Sequence, residues 1–391
     1  MEVVRELCSF ENRLAGSDAE RRASAHVAER LGGLGRRVEI EPTYVHPQFA
    51  LVHALHCTLG FAGSLVAISL PALGFALVLL AAVSMYLDLT YRVYILRRLF
   101  FRRGSQNVVS PGRSPGAAAR LIVCAHVDAG RTGGVFGERR ARRAASLGRR
   151  FPWLGPFRIL FWSLALLLPA LGARMAGLDS NVVSLIQLIP TLVLLVGAFA
   201  LVEIELSPVS PGASDDATGV AAALSLAAEL EGEPVEHLDV WFVLDGAAQC
   251  LQEGMRSFVR AHRRRLDRDT TFVLSLDTLG AGNVRYETAA GWVASYGMDK
   301  RLIELSSAIA DAHPALGAEP LAHAYAQDSM VARQAGLRAI GVTCLEDGYG
   351  VNVRQPGDLP ENVDPAAVDR AHDFALALIR ALDRDVGRGS R

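Results

Sequence analysis

The sequence predicts an α/β domain with a largely parallel sheet, interrupted by two transmembrane helical hairpins. Three observations predict it. Short apolar strand patterns alternate with helical ones through the polar parts of the chain, as successive βα units require. From Pro42 to Leu87 there is no Asp, Glu, Lys or Arg, and a second apolar block runs from about Ile159 to Val202. Each block is long enough for two passes of about 20 residues. Finally, the 391 residues are 51% hydrophobic and 21% charged, with a net charge of -1. That apolar excess excludes a disordered chain and exceeds what a soluble domain uses.

Taken in order, residues 1–48 begin the polar domain: Glu2–Leu34 has helical spacing and Arg37–Tyr44 alternates like a strand. Residues 49–91 make the first hairpin, with Pro71 at the turn between spans near Phe49–Leu70 and Ala72–Tyr91. Residues 92–158 form a basic segment around a short apolar strand, Ala117–Cys124, that runs into AHVDAG. The second hairpin, 159–202, is broken at Arg174–Asn181 and carries Gln187 and Pro190 in its second half. Residues 203–391 complete the polar domain. Helices are expected at Gly219–Leu230, Glu253–Arg264, Arg301–Ala312 and Pro365–Leu382, and strands at His237–Leu244, Thr271–Leu276 and Ala339–Thr343.

Charge orients this plan. Between Arg102 and Arg158 there are twelve arginines against Asp128 and Glu138, so that segment is +10 and the remainder -11. The positive-inside rule puts the arginine-rich side, and with it the polar domain, in the cytoplasm. The net charge gives no case for nucleic acid, and a basic segment between membrane hairpins points instead to lipid headgroups. Tyr86, Tyr91, Tyr94, Trp153 and Trp162 stand near the expected interfaces. Parity agrees, since His126 precedes the second apolar block and Asp215 follows it; they share a site only if the block crosses an even number of times. His53 and His56 lie near the start of the first span, where side chains reach the interface. Gly60 and Ser64 form a small-residue pair suited to helix packing. Five scattered cysteines without a C-x-x-C pair exclude a disulfide framework or zinc knuckle. The amphipathic first residues lack the apolar run of a signal peptide.

Chemistry is expected where parallel strands end. His126 and Asp128 follow the strand that ends at Cys124, Asp215 and Asp216 sit in SPGASDDATG before a helix, and Asp328 lies in AYAQDSMVARQAG. Imidazole and carboxylates converging from such turns are the donor set of a hydrolytic zinc site.

These segments resemble metallopeptidase family twenty-eight, the co-catalytic zinc aminopeptidases. ENRLAGS resembles the family's R-x-x-G-S, AHVDAG its H-x-D, and PGASDDATG its P-G-A-x-D-N/D-x-S/T-G. QDSMVARQAGLRAIGV and RQPGDLPENVD resemble its last two motifs, so the likeness spans the polar chain. It implies a mixed, mostly parallel sheet between helices, aminopeptidase chemistry and zinc. It implies His126, Asp215 and Asp328 as one metal half-site, with Asp215 the bridge to the second, and Asp128 as the carboxylate that orients the histidine.

The remainder departs from the pattern. Where the family has G-A-E-E, this chain has Gly246, Ala247, Ala248 and Gln249, which puts Ala248 at the general-base position and Gln249 at the second metal's carboxylate. With Asp358 fixing the closing motif, Arg354 falls where the second metal's histidine belongs. A neutral amide is a poor hard-metal ligand, a guanidinium repels a dication, and alanine moves no proton. One zinc ion is therefore expected and a second is not, with Arg354 serving as a fixed cation beside Asp215. Asp245 ends its strand just before this loop, and Glu253 reads as a solvated helix residue. The expectation is a membrane-anchored, catalytically impaired peptidase-like protein that binds a peptide, a lipid-linked ligand or a protein partner. The alternatives are an active one-metal hydrolase and a membrane scaffold with a regulatory cytoplasmic domain.

Overall fold

The structure is a computed structural model that describes residues 1–151 and 154–389. Trp153, expected above at an interface, lies outside the described residues. Helices α1 (Glu2–Ser9) and α2 (Asp18–Gly33) replace the single helical stretch read at the N-terminus. The break lets buried Arg13 donate to the carbonyls of Leu7, Val127 and Gly212, and Ser17 caps α2 by accepting from the Glu20 amide at 3.0 Å. There follow β1 (Glu39–Val45), α3 (Phe49–Val66), α4 (Pro71–Leu89), β2 (Arg103–Ser110), β3 (Ala119–His126) and α5 (Glu138–Arg150). Next come α6 (Pro156–Met175), α7 (Asn181–Leu206), α8 (Thr218–Gly232), β4 (Leu238–Asp245), α9 (Glu253–His262) and β5 (Thr271–Leu276). The chain closes with β6 (Asn283–Ala290), β7 (Tyr296–Gly297), α10 (Lys300–Ala312), β8 (Glu319–Ala322), α11 (Asp328–Gln334), β9 (Arg338–Leu345) and α12 (Pro365–Gly389).

The nine strands make one mixed sheet in the order β1-β2-β4-β3-β5-β9-β6-β7, with β8 beside β6. Its centre, β4-β3-β5-β9, is parallel, and β2 and β6 flank it antiparallel. Alternation sorts the strand residues between two cores. Leu121, Val123 and Ala125 face one with α1, α2, α8, α10 and α12. Ile122 and Cys124 face the other, which continues past α9 and α11 into the apolar helices α3, α4, α6 and α7. Strand β1, antiparallel to β2 and so aligned with the parallel centre, leads directly into α3, which places the root of the apolar helices at the carboxyl ends of the parallel strands.

Those four helices are each long and apolar enough to cross a membrane. They pack as a bundle in which α3 meets α4 and α7, and α6 meets α4 and α7. Gly60 sits where a Cβ would collide with Leu164 and Leu194, and Ser64 bonds Thr191 Oγ1 at 2.6 Å, so the small-residue pair is a packing face. Gln187 donates to the Ser64 carbonyl at 2.6 Å and accepts from Arg174 Nε at 2.8 Å, which satisfies the polar groups of the second hairpin inside the bundle. Outside, Leu185, Ile189, Val196 and Phe199 of α7 are all more than 60% exposed, a long apolar exterior. His53 and His56 do not reach outward from the bundle as expected. Both are buried, stacked on each other, with His56 Nε2 2.9 Å from Ser84 Oγ.

Candidate metal centre

Every residue of the centre sits at the carboxyl end of a central strand or in a loop held against one. His126 is the last residue of β3, and its backbone N–H donates to Asp216 at 3.1 Å. Asp216 also accepts from the amides of Gly219 and Thr278, so it braces three loops and is not free to bind a ligand. Its neighbour Asp215 is held by Asp358, whose carboxylate accepts from the amides of Ser214 at 2.6 Å and Asp215 at 3.3 Å. Burial pushes the Asp358 carboxyl up to about 7.

The His126 ring is oriented as a metal ligand requires. Nδ1 lies 3.0 Å from the Asp128 carbonyl oxygen and 3.2 Å from its carboxylate, which directs Nε2 toward Asp215 Oδ1, 3.3 Å away. Burial opposes the imidazolium, but the bonds to Asp128 and Asp215 outweigh it and raise the His126 pKa well above the usual value. Asp215 answers in the other sense: burial would lift it, and His126 and Arg354 hold it below the usual carboxylate range. Asp128 does a second job. Its two oxygens accept from the amides of Ala248 and Gln249, each at 3.0 Å, and so shape the loop after β4.

Among the described residues, the group of ligand atoms close enough for one ion comes from His126, Asp215 and Asp277, all within 4.8 Å of one another. Two atoms bound tetrahedrally to zinc at about 2.0–2.1 Å lie roughly 3.3 Å apart, which is the His126–Asp215 spacing. The donor set of this half-site therefore fits zinc. Asp277 replaces Asp328 in it. Asp328 is buried at the start of α11 beside Asp245, outside the group, and burial moves its carboxyl up to about 6. Asp245, beside it, is fully buried, and neither of its oxygens has a hydrogen-bond partner among the described residues. Asp277 escaped the sequence reading although it directly follows the expected strand Thr271–Leu276. The usable signal was a metal-ligating residue at the carboxyl end of a parallel strand, as His126 is at the end of β3.

Where the resemblance expects a second metal, an amide and a guanidinium stand beside Asp215. Gln249 Nε2 donates to Asp215 Oδ1 at 2.8 Å, and Gln249 Oε1 accepts from Arg354. Arg354 Nε stands 4.0 Å from Asp215 Oδ2. Gly130 permits this, since a Cβ there would strike the Gln249 amide. Over the guanidinium lie the rings of Phe49, the first residue of α3, at 5.5 Å, and Phe136 at 5.2 Å. Ala247, Leu251, Gln252, Thr278 and Arg354 all have left-handed φ values between 52° and 67°. Such conformations persist only where surrounding contacts over-determine them.

Those contacts come from two sides. Below the loop, buried Glu20 accepts from the Ala247 amide at 2.9 Å and from Ser105 Oγ at 2.9 Å; burial and the charge of Asp128 push it up to about 8. From the side of the apolar helices, fully buried Arg97 meets both oxygens of Asp88 at 3.0 and 3.1 Å and Glu253 at 3.2 Å. Glu253 is thus an ion-pair partner, not the solvated residue expected, and it also accepts from the His46 amide at 2.7 Å. Tyr91 donates to Gln252 and accepts from Trp292 at 3.1 Å. The first apolar hairpin is clamped to the loop that carries Ala248.

With this geometry in place, the sequence model of peptidase family M28 matches residues 196–379. No curated protein matches the chain. Many solved structures share the fold, and three of them each cover 97% of this chain. A glutaminyl cyclase from Fimbriiglobus ruber matches at 14% identity and TM-score 0.56 over 93% of its own length. LapB from Legionella pneumophila matches at 13% and 0.54 over 70%, and a Zn-dependent exopeptidase from Parabacteroides distasonis at 12% and 0.53 over 96%.

Proposed function

We propose that the chain, whose residues 196–379 match the model of peptidase family M28, is a membrane-anchored relative of the zinc exopeptidases that binds its ligand and does not hydrolyse it. One observation carries this reading: the Gln249 amide donates to Asp215 Oδ1, the oxygen that also faces His126, while the Arg354 guanidinium bonded to Gln249 stands 4.0 Å from Oδ2, so an amide and a cation, not metal ligands, surround the carboxylate that would bridge a second ion. His126, Asp215 and Asp277 would hold a single zinc, which would supply Lewis acidity there. Proton transfer commonly adds about 10²–10⁴-fold to such a reaction, and Ala248 offers nothing to accept the proton. The anchoring rests on the four apolar helices and their exposed apolar exterior. The arginine excess between the hairpins supports a cytoplasmic polar domain. Phe49 of α3 over Arg354 favours a peptide or lipid-linked ligand presented at the membrane surface.

The test is zinc content together with turnover on the purified protein. Aminopeptidase substrates and peptides with N-terminal glutamine are offered with Zn, Mn or Co. Zinc binding without turnover is expected. Turnover that Asp215→Asn abolishes would overturn the proposal and establish a one-metal hydrolase.

A further inference from the structure

Helix α5 is the most basic element of the chain and has no buried residue. Its thirteen residues carry Arg139, Arg140, Arg142, Arg143, Arg149 and Arg150 against Glu138 alone. The arginines divide by task. Arg142 pairs with Glu138 at 3.0 Å and Glu346 at 3.4 Å and lies over the Tyr349 ring, and Arg149 donates to the Asp347 carbonyl. These two fasten the helix to residues 346–349, just ahead of Arg354. Arg139 and Arg143, one turn apart, make no ion pair or hydrogen bond among the described residues, and Arg150 continues their row at i+11. Leu147, 54% exposed, flanks that row.

The loop before α5 fixes its height. Thr132 N–H donates to the Pro208 carbonyl at 2.8 Å, Arg131 to the Ser207 carbonyl at 2.8 Å, and the Gly134 amide to Glu203 at 3.0 Å. All three acceptors belong to the end of α7 or the residues directly after it. After α5 the chain enters α6 at Pro156. The basic helix is therefore tethered at both ends to the same rim of the apolar bundle. We infer that the Arg139–Arg143–Arg150 row is a docking face for a bilayer surface bearing anionic headgroups. Charge complementarity and continuity with the bundle rim select that partner. Headgroup phosphates supply the acceptors the guanidiniums lack, and Leu147 reaches the acyl boundary.

This inference rests on the anchoring proposed above, so the experiment separates the two. The full chain is placed in nanodiscs of phosphatidylcholine alone or mixed equally with phosphatidylglycerol, and amide hydrogen exchange is read over residues 138–150. Each arginine near an anionic surface strengthens docking about fivefold at moderate salt. Exchange should therefore be at least about tenfold slower in the anionic discs. Arg139→Glu/Arg143→Glu/Arg150→Glu should abolish the difference. Arg263→Glu/Arg264→Glu should keep it, because those exposed arginines sit at the opposite end of the sheet, where Arg120 at the start of β3 bonds the Arg265 carbonyl. Equal exchange in both discs, or protection that survives the triple charge reversal, would overturn the inference while leaving the anchoring intact. Failure to enter neutral discs would overturn both. Protection produced in neutral discs by duplex DNA or RNA, and lost in the triple variant, would assign the face to nucleic acid and overturn it as well.

Discussion

Replacing Gln249 by glutamate and Arg354 by histidine together should raise the zinc content from the single ion proposed to two. The magnitude follows from the present geometry. Arg354 Nε is 4.0 Å from Asp215 Oδ2, with the two side chains 18% and 8% exposed. Unit charges at that separation interact by about 4 kcal/mol at an effective dielectric constant near 20. A dication at a similar distance from the guanidinium would be repelled by roughly twice that, about 8 kcal/mol. If half of this is realised, the Arg354→His change alone is worth on the order of a thousandfold in zinc affinity at that position. Gln249→Glu then adds a charged donor in place of an amide. The assay is zinc per chain after dialysis against the metal, with thermal unfolding in detergent alongside. The double variant should be less stable than the parent without zinc, because Asp215 then faces a second carboxylate at position 249, and should regain stability as zinc is added. Two zinc ions in the unaltered protein, or one in a folded double variant, would refute the reasoning.

Three further outcomes are expected. Asp277→Asn should weaken zinc binding by at least about a hundredfold, since even partners outside the ligand set commonly cost 10–100-fold, whereas Asp328→Asn should leave it near the parent value; titration calorimetry of the two variants decides which carboxylate is the ligand. Arg97→Ala strands Asp88 and Glu253 without their cation and should cost about 3–5 kcal/mol in thermal or denaturant unfolding, and Arg97→Lys should recover only part, because one ammonium cannot replace a guanidinium bonded to both carboxylates. A membrane-impermeant maleimide should label Leu178→Cys, at the exposed turn between α6 and α7, in intact cells, and Ser146→Cys, exposed on α5, only after lysis; the opposite pattern would reverse the orientation. The native thiols interfere little, as four are buried and Cys8 is half-buried.

What could be read from sequence divides along a physical line. Strands β3, β4, β5 and β9 are buried on both faces, so their apolar runs announce them. Strand β2 was missed because its buried Ser105, Gln106 and Asn107 look like loop residues; their partners Glu20, Ser24 and the Gly254 carbonyl lie far away in the chain, 85, 82 and 147 residues respectively. Glu253 misled for the same reason, since only the docked hairpin supplies Arg97. Asp277 became visible once β3 and β5 paired with Cys124 opposite Ser275, which places their ends side by side. The departures at Ala248, Gln249 and Arg354 were legible from motif register, but their joint logic was not. A glutamine is the residue that can stand between Asp215 and Arg354, because its Nε2 donates to the carboxylate while its Oε1 accepts from the guanidinium. A glutamate there would accept from Arg354 and repel Asp215. Once the position of the second histidine holds an arginine, the amide is the neighbour that lets both charges stay buried, so the two substitutions are physically one change.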